Sequence, residues 1–448
     1  DRPGPRYTSY PTAPQFAADF GEAQLRAAAT ASNGDPIPRR LSLYVHVPFC
    51  TSPCFYCGCN RIITRDRGQS EPYLARLYRE IGLAAELFDR DREVIQLHFG
   101  GGTPNFLSPA QLRDVVDCLR RHFHFADARE IDLSIELDPR GLAVADIAQF
   151  AAIGFNRASL GVQDFDPLVQ AAVNRIQSVE ETRTIIEAAR ANGFRSVNVD
   201  LIYGLPKQNL EGFGRTLDTV IGMRPDRLAV YGYAHLPQLF KAQRQIVDAD
   251  LPSPAAKLEL LALAIERLTR AGYLYIGMDH FALPDDDLAQ AQARGRLHRN
   301  FMGYTTHADS DLLGLGVSAI SHIGDTFSQN PRELPAWQLA LDAGRLPVCR
   351  GMRLDEDDRL RADLIQGLMC QGEIPIRALE RRYDIDFAHY FAGALEQLQP
   401  LVEDGLVRPR ADRIDVTPRG RLLMRNIAMC FDRYLGQPAA PARYSKAI

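Results

Sequence analysis

Short apolar runs alternate with longer amphipathic stretches between residue 41 and about residue 233. The runs are rich in β-branched and aromatic residues and have the length of strands, whereas most stretches between them have helical periodicity. The predicted strands are Leu41–Val47, Val94–Phe99, Ile131–Leu137, Arg157–Val162, Ser196–Ile202 and Leu228–Tyr233. The predicted helices between them include 71–88, 108–122, 143–152, 178–191 and 211–223.

This alternation of strands and helices predicts βαβ units and a parallel sheet. Six units favour an α/β fold, an incomplete parallel (β/α)6-type TIM-like barrel, over the alternative of a doubly wound open sheet. In both architectures ligands collect at the carboxyl ends of the strands. The site is therefore expected at that edge of the sheet.

The pattern divides the chain into three segments. Residues 1–38 are irregular, with turn signals around one alanine-rich helical stretch, and the barrel is predicted over 39–345. The alternation then stops, and 346–448 is predicted to be a mainly helical, winged-helix-like domain with a helix, hairpin, helix pattern at 389–430. Because both end segments flank the open face of the barrel, we expect them to cap the site.

The charge balance is nearly neutral, with 52 basic and 56 acidic residues and a net charge of -4. This composition argues against a nucleic-acid partner, even for the wing, and against binding to an anionic membrane surface. An anionic substrate would have to be held by local arginines or backbone amides. No apolar segment is long enough to span a membrane. The chain begins at Asp1, so we expect that its true start precedes this residue.

Four of the eight cysteines lie within ten residues, in the run HVPFCTSPCFYCGCN. Structural zinc sites usually combine two separated pairs of ligands, whereas the first three cysteines here have the spacing C-x3-C-x2-C. Three thiolates on one tight loop can hold three irons of a four-iron cubane and leave the fourth iron open. The spacing therefore favours an iron–sulfur cluster over zinc. The crowding of thiols indicates a reducing compartment, and we expect the cytoplasm.

The other cysteines have less definite roles. Cys59, the fourth in the loop, can be a further ligand, a thiol near the chemistry, or a structural residue. Cys118, Cys349, Cys370 and Cys430 are scattered, and we interpret them as small buried hydrophobic residues.

Polar and glycine residues follow the predicted strands. Gly100–Pro104 comes directly after the second strand, where glycines allow close approach to a ligand, or alternatively only a tight turn. Glu136 lies on the third strand, Gln163 ends the fourth and Asp200 lies near the end of the fifth. Such a ring at barrel strand ends is typical of a site. Arg175 is the nearest cation, although an isolated helix arginine is usually a surface residue.

The histidines do not form a recognisable metal site. The candidate ligands are His46, His98, His235, His280 and His298. A histidine within a strand is more often a hydrogen-bonded core residue than a ligand, and no H-x3-H pair occurs among these. We therefore expect structural roles for them.

The cysteine spacing, with Tyr56 before the third cysteine, resembles the radical S-adenosylmethionine (SAM) superfamily. Within it, the chain is similar to the oxygen-independent coproporphyrinogen III oxidases, although Tyr56 replaces a phenylalanine common in that family. The shared stretches are PRYTSYPTA, SLYVHVPFCTSPCFYCGCN, LHFGGGTP, FNRASLGVQDF, NVDLIYGLPKQ, YAHLP, IGMDHFALPDD, HRNFMGYTT and LLGLGVSAIS. They run from Arg6 to about Ser321, and a weaker match, GRLLMRNIAMCFDRYL, lies near the C-terminus.

The resemblance implies specific roles for the site residues. Cys50, Cys54 and Cys57 would ligate a [4Fe–4S] cluster, with SAM on the open iron. The residues implied to contact this first SAM are Tyr44, Gly101, Glu136 and Ile320. Those implied to contact a second SAM are Tyr56, Gly102, Thr103, Gln163, Arg175, Asp200 and Ala234. Cys59 matches an extra cysteine needed for activity, and we assign it and Tyr44 to catalysis.

The resemblance also implies a reaction and its partners. A 5′-deoxyadenosyl radical would convert the ring A and B propionates of coproporphyrinogen III to the vinyl groups of protoporphyrinogen IX. The electron donor would be a reduced flavodoxin- or ferredoxin-like protein, and we expect a monomer. Arg6 and Arg299 are candidates for holding propionates.

Two alternative functions compete with the oxidase. One is a heme-binding, radical-SAM-like chaperone without oxidase turnover, and the other is a zinc-stabilised barrel with an interaction role. Cys59 and the N-terminal PRYTSYPTA stretch favour the oxidase.

Overall fold

The computed structural model describes residues 3–435. Its strands are β1 Arg40–Val47, β2 Phe49–Cys50, β3 Ile62–Ile63, β4 Glu93–Gly101, β5 His124–Phe125, β6 Asp132–Leu137, β7 Arg157–Gln163, β8 Ser196–Tyr203, β9 Arg227–Gly232, β10 Leu274–Gly277, β11 His280–Ala282, β12 His298–Asn300, β13 Gly303–Thr305, β14 Ser310–Leu315, β15 Ile320–Ile323, β16 Thr326–Gln329, β17 Arg350–Arg353, β18 Glu373–Ile374, β19 Val407–Pro409 and β20 Ile414–Val416.

Fifteen α-helices lie within residues 3–435. They are α1 Glu22–Asn33, α2 Ser70–Ala85, α3 Pro109–His122, α4 Val144–Ile153, α5 Pro167–Ala172, α6 Val179–Ala191, α7 Leu210–Met223, α8 Pro254–Arg270, α9 Asp287–Ala293, α10 Leu334–Asp342, α11 Glu356–Gln371, α12 Ile376–Tyr383, α13 Phe387–Tyr390, α14 Ala392–Glu403 and α15 Met424–Met429. None of the helices within residues 3–435 combines the length and apolarity needed to cross a membrane.

The chain forms two compact units. The barrel unit consists of Phe16–Gly272 and Asp309–Arg353, and the second unit holds the residues up to Gln15, Tyr273–Ala308 and those from Leu354 onward. The structure thus divides the chain differently from the predicted segments, since the extension 1–38 is shared between the units. A capping role for the end segments stays a prediction.

The barrel unit is built on a parallel sheet in sequential order. β1, β4, β6, β7, β8 and β9 are neighbours in that order, all parallel, and β14 pairs in parallel with the other edge of β1. The strands are apolar because both faces are covered, and Leu43, Val45 and Leu97 are fully buried. These six strands are the predicted ones, so the α/β, incomplete-barrel fold class is confirmed.

The sheet continues beyond β14 in a way that the hydrophobic pattern did not indicate. β15, β16 and β17 extend it as antiparallel strands, with Leu312 opposite His322 and Phe327 opposite Met352. These strands have four residues each and contain polar side chains, so they lack the long apolar run that marked the parallel strands.

Helix α1 belongs to the barrel unit and packs beside β15 and β16. Ser32 on this helix donates a hydrogen bond to Asp311, which also forms a fully buried ion pair of 2.8 Å with Arg92. Asp311 is the second residue of β14, so this contact lies at the amino end of that strand.

The second unit is mainly helical, as predicted. Its core joins α11–α15 with the three-stranded sheet β18-β20-β19, in which β19 and β20 form the predicted hairpin. The N-terminal residues belong to this core, since the Tyr7 hydroxyl donates to Asp432 at 2.9 Å and Arg425 donates to the Pro5 carbonyl at 2.9 Å. Two further hairpins, β10–β11 and β12–β13, complete the unit.

Candidate functional site

The cysteine loop leaves the carboxyl end of β1 and is held at several points by backbone hydrogen bonds. Cys50 ends β2, which pairs in parallel with β3, so the chain returns beside its own start. The Phe55 amide donates to the Val173 carbonyl at 2.9 Å, and the Asn174 side chain donates to the Pro53 carbonyl at 2.7 Å. The loop is therefore built into the barrel rather than projecting from it.

Two side chains hold the second half of the loop. Arg61 donates to the Cys57 carbonyl at 3.0 Å and to the Cys54 carbonyl at 3.2 Å. Buried Gln243, from the segment after β9, donates to the carbonyl of Tyr56 at 2.9 Å and to that of Ala234 at 3.1 Å. Gln243 thereby joins two residues predicted to contact the second SAM.

The glycines after β4 allow the end of that strand to pass directly against the cysteine loop. Gly101 has φ +114°, and a Cβ there would lie 2.6 Å from the His46 ring. A Cβ on Gly102 would lie 2.8 Å from the Phe49 carbonyl oxygen. This packing brings the Thr103 hydroxyl to 3.3 Å from the Cys50 thiol. The glycine run therefore does not only make a tight turn, because it also allows the chain after β4 to approach the cysteine loop closely.

Glu136 is the centre of a hydrogen-bonded group on the barrel interior. Its carboxylate accepts from the Gly101 amide at 3.2 Å and lies 3.3 Å from the His98 Nε2. The His98 ring stacks on Tyr44 with centroids 5.9 Å apart. Although burial opposes ionisation, the bond from His98 and the Gly101 amide hold the pKa of Glu136 below its ordinary value. Glu136 is therefore an ionised acceptor.

Asp200 lies on β8, which is separated from the Glu136 strand β6 by β7, and its pKa is shifted in the opposite direction. Burial, followed by the negative charge of Glu136, raises its pKa to about 6, even though Ser159 and Asn198 donate to it at 3.1 and 2.8 Å. The two carboxylates thus differ in how easily each is protonated, which is a common arrangement at functional sites.

Arg175 is a buried residue, not a surface arginine. It donates to the Gly161 carbonyl at 2.6 Å, to Asp138 at 3.3 Å and towards the Cys54 sulfur at 3.6 Å. Arg140 reaches the same carboxylate at 2.6 Å and lies 3.9 Å from the same sulfur. Sequence reasoning missed Asp138 and Arg140, although both lie in the stretch SIELDPR next to Glu136.

A cavity of about 280 Å³ joins these groups. The predicted site residues that line it are Cys50, Cys54, Tyr56, Cys57, Cys59, Gly101, Gly102, Thr103, Glu136, Gln163, Arg175 and Asp200. Tyr44, Ala234 and Ile320 are not part of this lining. Tyr44 stacks on His98, and the Ala234 carbonyl accepts a hydrogen bond from the Gln243 side chain. Ile320 is the first residue of β15 and lies close to Gly314. The assigned contacts with cofactors stay predictions.

The donor set fits a cluster bound by three thiols. A hydrogen bond from Cys59, together with Arg61, lowers the pKa of Cys57 to about 6, whereas burial raises the pKa of Cys50 to about 11. Among residues 3–435, no three His, Cys, Asp or Glu side chains converge on a single-ion site. Three thiols around one cavity instead suit a cubane, in which each cysteine binds a different iron. The backbone amide of Cys59 donates to the Cys57 sulfur at 3.4 Å. This contact does not involve the Cys59 thiol, so it does not decide among the roles considered for that thiol.

Comparison with known proteins agrees with this geometry. The family model for the radical SAM superfamily matches residues 44–220, and the model for the HemN C-terminal domain matches 354–423. The fold and the cysteine loop thus define a radical SAM protein, which carries a [4Fe–4S] cluster and uses SAM.

Relatives along nearly the whole chain define the family more narrowly. Oxygen-independent coproporphyrinogen III oxidase from Pseudomonas aeruginosa is 54% identical over 97% of this chain and 94% of that protein. The enzyme of the same name from Escherichia coli K12 is 51% identical over 99% and 96%. A solved structure of the Escherichia coli enzyme, HemN, superimposes with a TM-score of 0.91 at 50% identity, covering 96% of this chain and 97% of that one. The chain belongs to the oxygen-independent coproporphyrinogen III oxidase family, which confirms the resemblance.

Proposed function

We propose that this protein oxidises coproporphyrinogen III to protoporphyrinogen IX without oxygen, in porphyrin and heme biosynthesis. The observation that carries the proposal is the cavity in which the cysteine loop, the Gly101–Thr103 segment and the side chains of Glu136, Asp200 and Arg175 meet. The family relationship along the full chain supports the choice of substrate.

Cys50, Cys54 and Cys57 would hold the [4Fe–4S] cluster. When SAM is bound, this cluster would supply the 5′-deoxyadenosyl radical, which can abstract hydrogen from a C–H bond. Each reacting propionate would give one hydrogen atom from its β-carbon to the 5′-deoxyadenosyl radical, and would then become a vinyl group by losing CO2 and passing one electron to a separate one-electron acceptor. Two propionates, on rings A and B, react in this way.

The chain's own residues orient the SAM molecules in this proposal. Glu136, kept ionised by His98 and Gly101, offers carboxylate oxygens to hydrogen-bond donors of the first SAM. The other residues proposed for the first SAM are Tyr44, Gly101 and Ile320. Those proposed for a second SAM are Tyr56, Gly102, Thr103, Gln163, Arg175, Asp200 and Ala234.

Asp138 supports this arrangement without being proposed as a ligand. It accepts from both Arg140 and Arg175, and both guanidinium groups lie near the Cys54 sulfur. We propose that this pairing fixes the position of Cys54 and keeps water away from its sulfur. Excluding water protects a radical reaction from stray hydrogen donors.

The partners of the reaction are also proposed. A reduced flavodoxin- or ferredoxin-like protein would supply the electron that SAM cleavage consumes, and the protein would act as a monomer. We place it in the cytoplasm, because reduced loop thiols are needed to bind the cluster.

An anaerobic assay with reduced, reconstituted protein, SAM and coproporphyrinogen III tests the function. The expected result is that wild type forms 5′-deoxyadenosine and vinyl product, whereas Cys54→Ser forms neither. Cys349→Ser is the matched control and should retain both products, because this cysteine lies outside the loop and is exposed, so the prediction that it is buried was wrong. If wild type forms 5′-deoxyadenosine without vinyl product, the substrate is wrong, and heme binding without turnover becomes the favoured function.

A further inference from the structure

Arg61 follows the cysteine loop directly and bonds back to it through its guanidinium group. Besides the two loop carbonyls described above, its Nη1 donates to the carbonyl of Cys59 at 3.4 Å. The backbone of Arg61 is also fixed, because the next residue begins β3, where the Ile62 amide donates to the Pro48 carbonyl at 2.6 Å. The guanidinium is therefore held against the loop at both ends of the side chain.

The positive charge of this group has no adjacent carboxylate. A guanidinium is always ionised, and the acceptors that Arg61 reaches are uncharged backbone carbonyls. Within residues 3–435, no Asp or Glu forms an ion pair with it, and its buried Nε has no hydrogen-bond partner. By contrast, Arg140 and Arg175 share the carboxylate of Asp138. The charge of Arg61 therefore acts on its surroundings without a counter-charge beside it.

This charge lies at the edge of the proposed cluster site, since Arg61 and the three cysteines of the C-x3-C-x2-C spacing line the same cavity. A four-iron cubane gains one negative charge when it is reduced, and its reduction potential depends on net charge, hydrogen bonds to the sulfurs and exposure to solvent. A nearby positive charge stabilises the more negative, reduced form. Because Arg61 is partly buried, solvent screens this attraction less than it would for an exposed residue.

We propose that the charge of Arg61 raises the reduction potential of the bound [4Fe–4S] cluster and so makes the cluster easier for the electron donor to reduce. This inference rests on the proposed binding of the cluster by Cys50, Cys54 and Cys57, and it is independent of the substrate. Arg61 tunes the cluster through its electric field and does not contact the reacting atoms. A higher potential increases the fraction of protein that holds the electron needed for SAM cleavage at a given strength of reductant.

The test measures the midpoint potential of the cluster in the full-length, cluster-loaded protein without SAM or substrate. A redox titration is followed by electron paramagnetic resonance of the reduced cluster. In Arg61→Gln the potential should be more negative than in wild type, because the charge is lost. At the wild-type midpoint, the ratio of reduced to oxidised cluster should fall about tenfold, which for one electron corresponds to a shift of about 59 mV. Arg61→Lys keeps the charge and should stay close to wild type.

Arg65→Gln is the matched control. It removes the same charge a little further along the chain, from an exposed residue whose charge is screened by solvent, so its potential should match that of wild type. Arg61→Met is a second neutral variant, whose long apolar side chain retains bulk, so the result does not depend on how one substitution packs. Iron and sulfide analysis verifies loading of each variant, and urea unfolding verifies that it has folded.

A wild-type potential in loaded Arg61→Gln and Arg61→Met would overturn the inference. An equal shift in Arg65→Gln would do so as well, since it would show a general effect of net charge. The inference also falls if Arg61→Lys shifts as far as Arg61→Gln, or if the neutral variants fold but take up no cluster, because Arg61 would then be a structural residue of the loop.

The outcome is separable from the proposed function. If the potential depends on Arg61 as expected but wild type forms no vinyl product, tuning by Arg61 stands and the proposed function fails. If wild type takes up no cluster, both fall.

Discussion

Glu80, on helix α2 of the barrel unit, is a buried carboxylate that has no cationic partner among residues 3–435. It is 2% exposed and accepts hydrogen bonds from the Gly316 amide at 2.8 Å, the Asn330 side chain at 2.6 Å and the Trp337 indole at 3.1 Å. Burial raises its pKa from 4.5 to about 7, against the effect of these donors. The stability of this unit should therefore depend on pH through Glu80.

The sign of this dependence follows from proton linkage. Between pH 4.5 and about 7 the unfolded chain releases the proton of Glu80 while the folded protein retains it, so stability falls as pH rises. The gap between the two pKa values corresponds to roughly 3 kcal/mol of stability that is present at low pH and absent above pH 7. Glu80→Gln cannot ionise and should lack this contribution to the pH dependence.

Trp337 is the only tryptophan of the chain and bonds directly to Glu80, so its fluorescence reports on this region. Urea unfolding should be followed at several pH values for wild type, Glu80→Gln and the control Glu71→Gln, an exposed position on the same helix. The stability of wild type relative to Glu80→Gln should fall by roughly 2–3 kcal/mol between about pH 5 and pH 8.

At the acid end, Glu80→Gln should be less stable than wild type, because one amide oxygen cannot serve all three donors that the carboxyl group meets. Glu71→Gln should follow wild type at every pH. A difference between wild type and Glu80→Gln that stays constant across the pH range would refute the reasoning, since it would mean that Glu80 titrates alike in the folded and unfolded chain.

Two further predictions concern the cavity. Gly101→Ala places a Cβ at φ +114° and 2.6 Å from the His46 ring, so it should lose roughly 1–3 kcal/mol of stability in urea unfolding and raise the KM for SAM. Gly141→Ala is the control, because Gly141 has φ +67° but open space around it, so this variant has backbone strain without a steric clash. An equal loss of stability in both variants would contradict a clash with His46 in Gly101→Ala. Because the pKa of Asp200 is about 6, kcat/KM for SAM should rise as pH increases through 6 and Asp200 ionises. Asp200→Asn should lack this rise, and an unchanged pH profile in that variant would show that another group titrates.

The parallel strands of the barrel could be predicted because their signal is local. Each is an apolar run long enough to be covered on both faces, and the predicted limits of β1, β4 and β7 differ from the observed ones by at most two residues. The antiparallel strands β15–β17 and the short hairpins could not be predicted in this way. They are stabilised by pairing with a neighbouring strand, and their own sequences are too short and too polar to indicate it.

The candidate site shows the same division. The spacing of Cys50, Cys54 and Cys57 is a property of one loop, so it could be interpreted without a structure. The approach of Arg175 to the Cys54 sulfur joins residues 121 positions apart, and no periodicity encodes it.

The sequence by itself determined the order of strands and helices, the cysteine loop and the residues that follow each strand, because these depend on near neighbours along the chain. Only the tertiary structure decided which polar groups are desolvated and which partners they have. Glu136 and Asp200 are both strand carboxylates, yet contacts with His98 and Gly101 favour ionisation of one, and burial opposes ionisation of the other. Likewise, the buried arginines Arg92 and Arg175 lie beside Asp311 and Asp138, and these pairings depend on distances through space that the sequence does not contain.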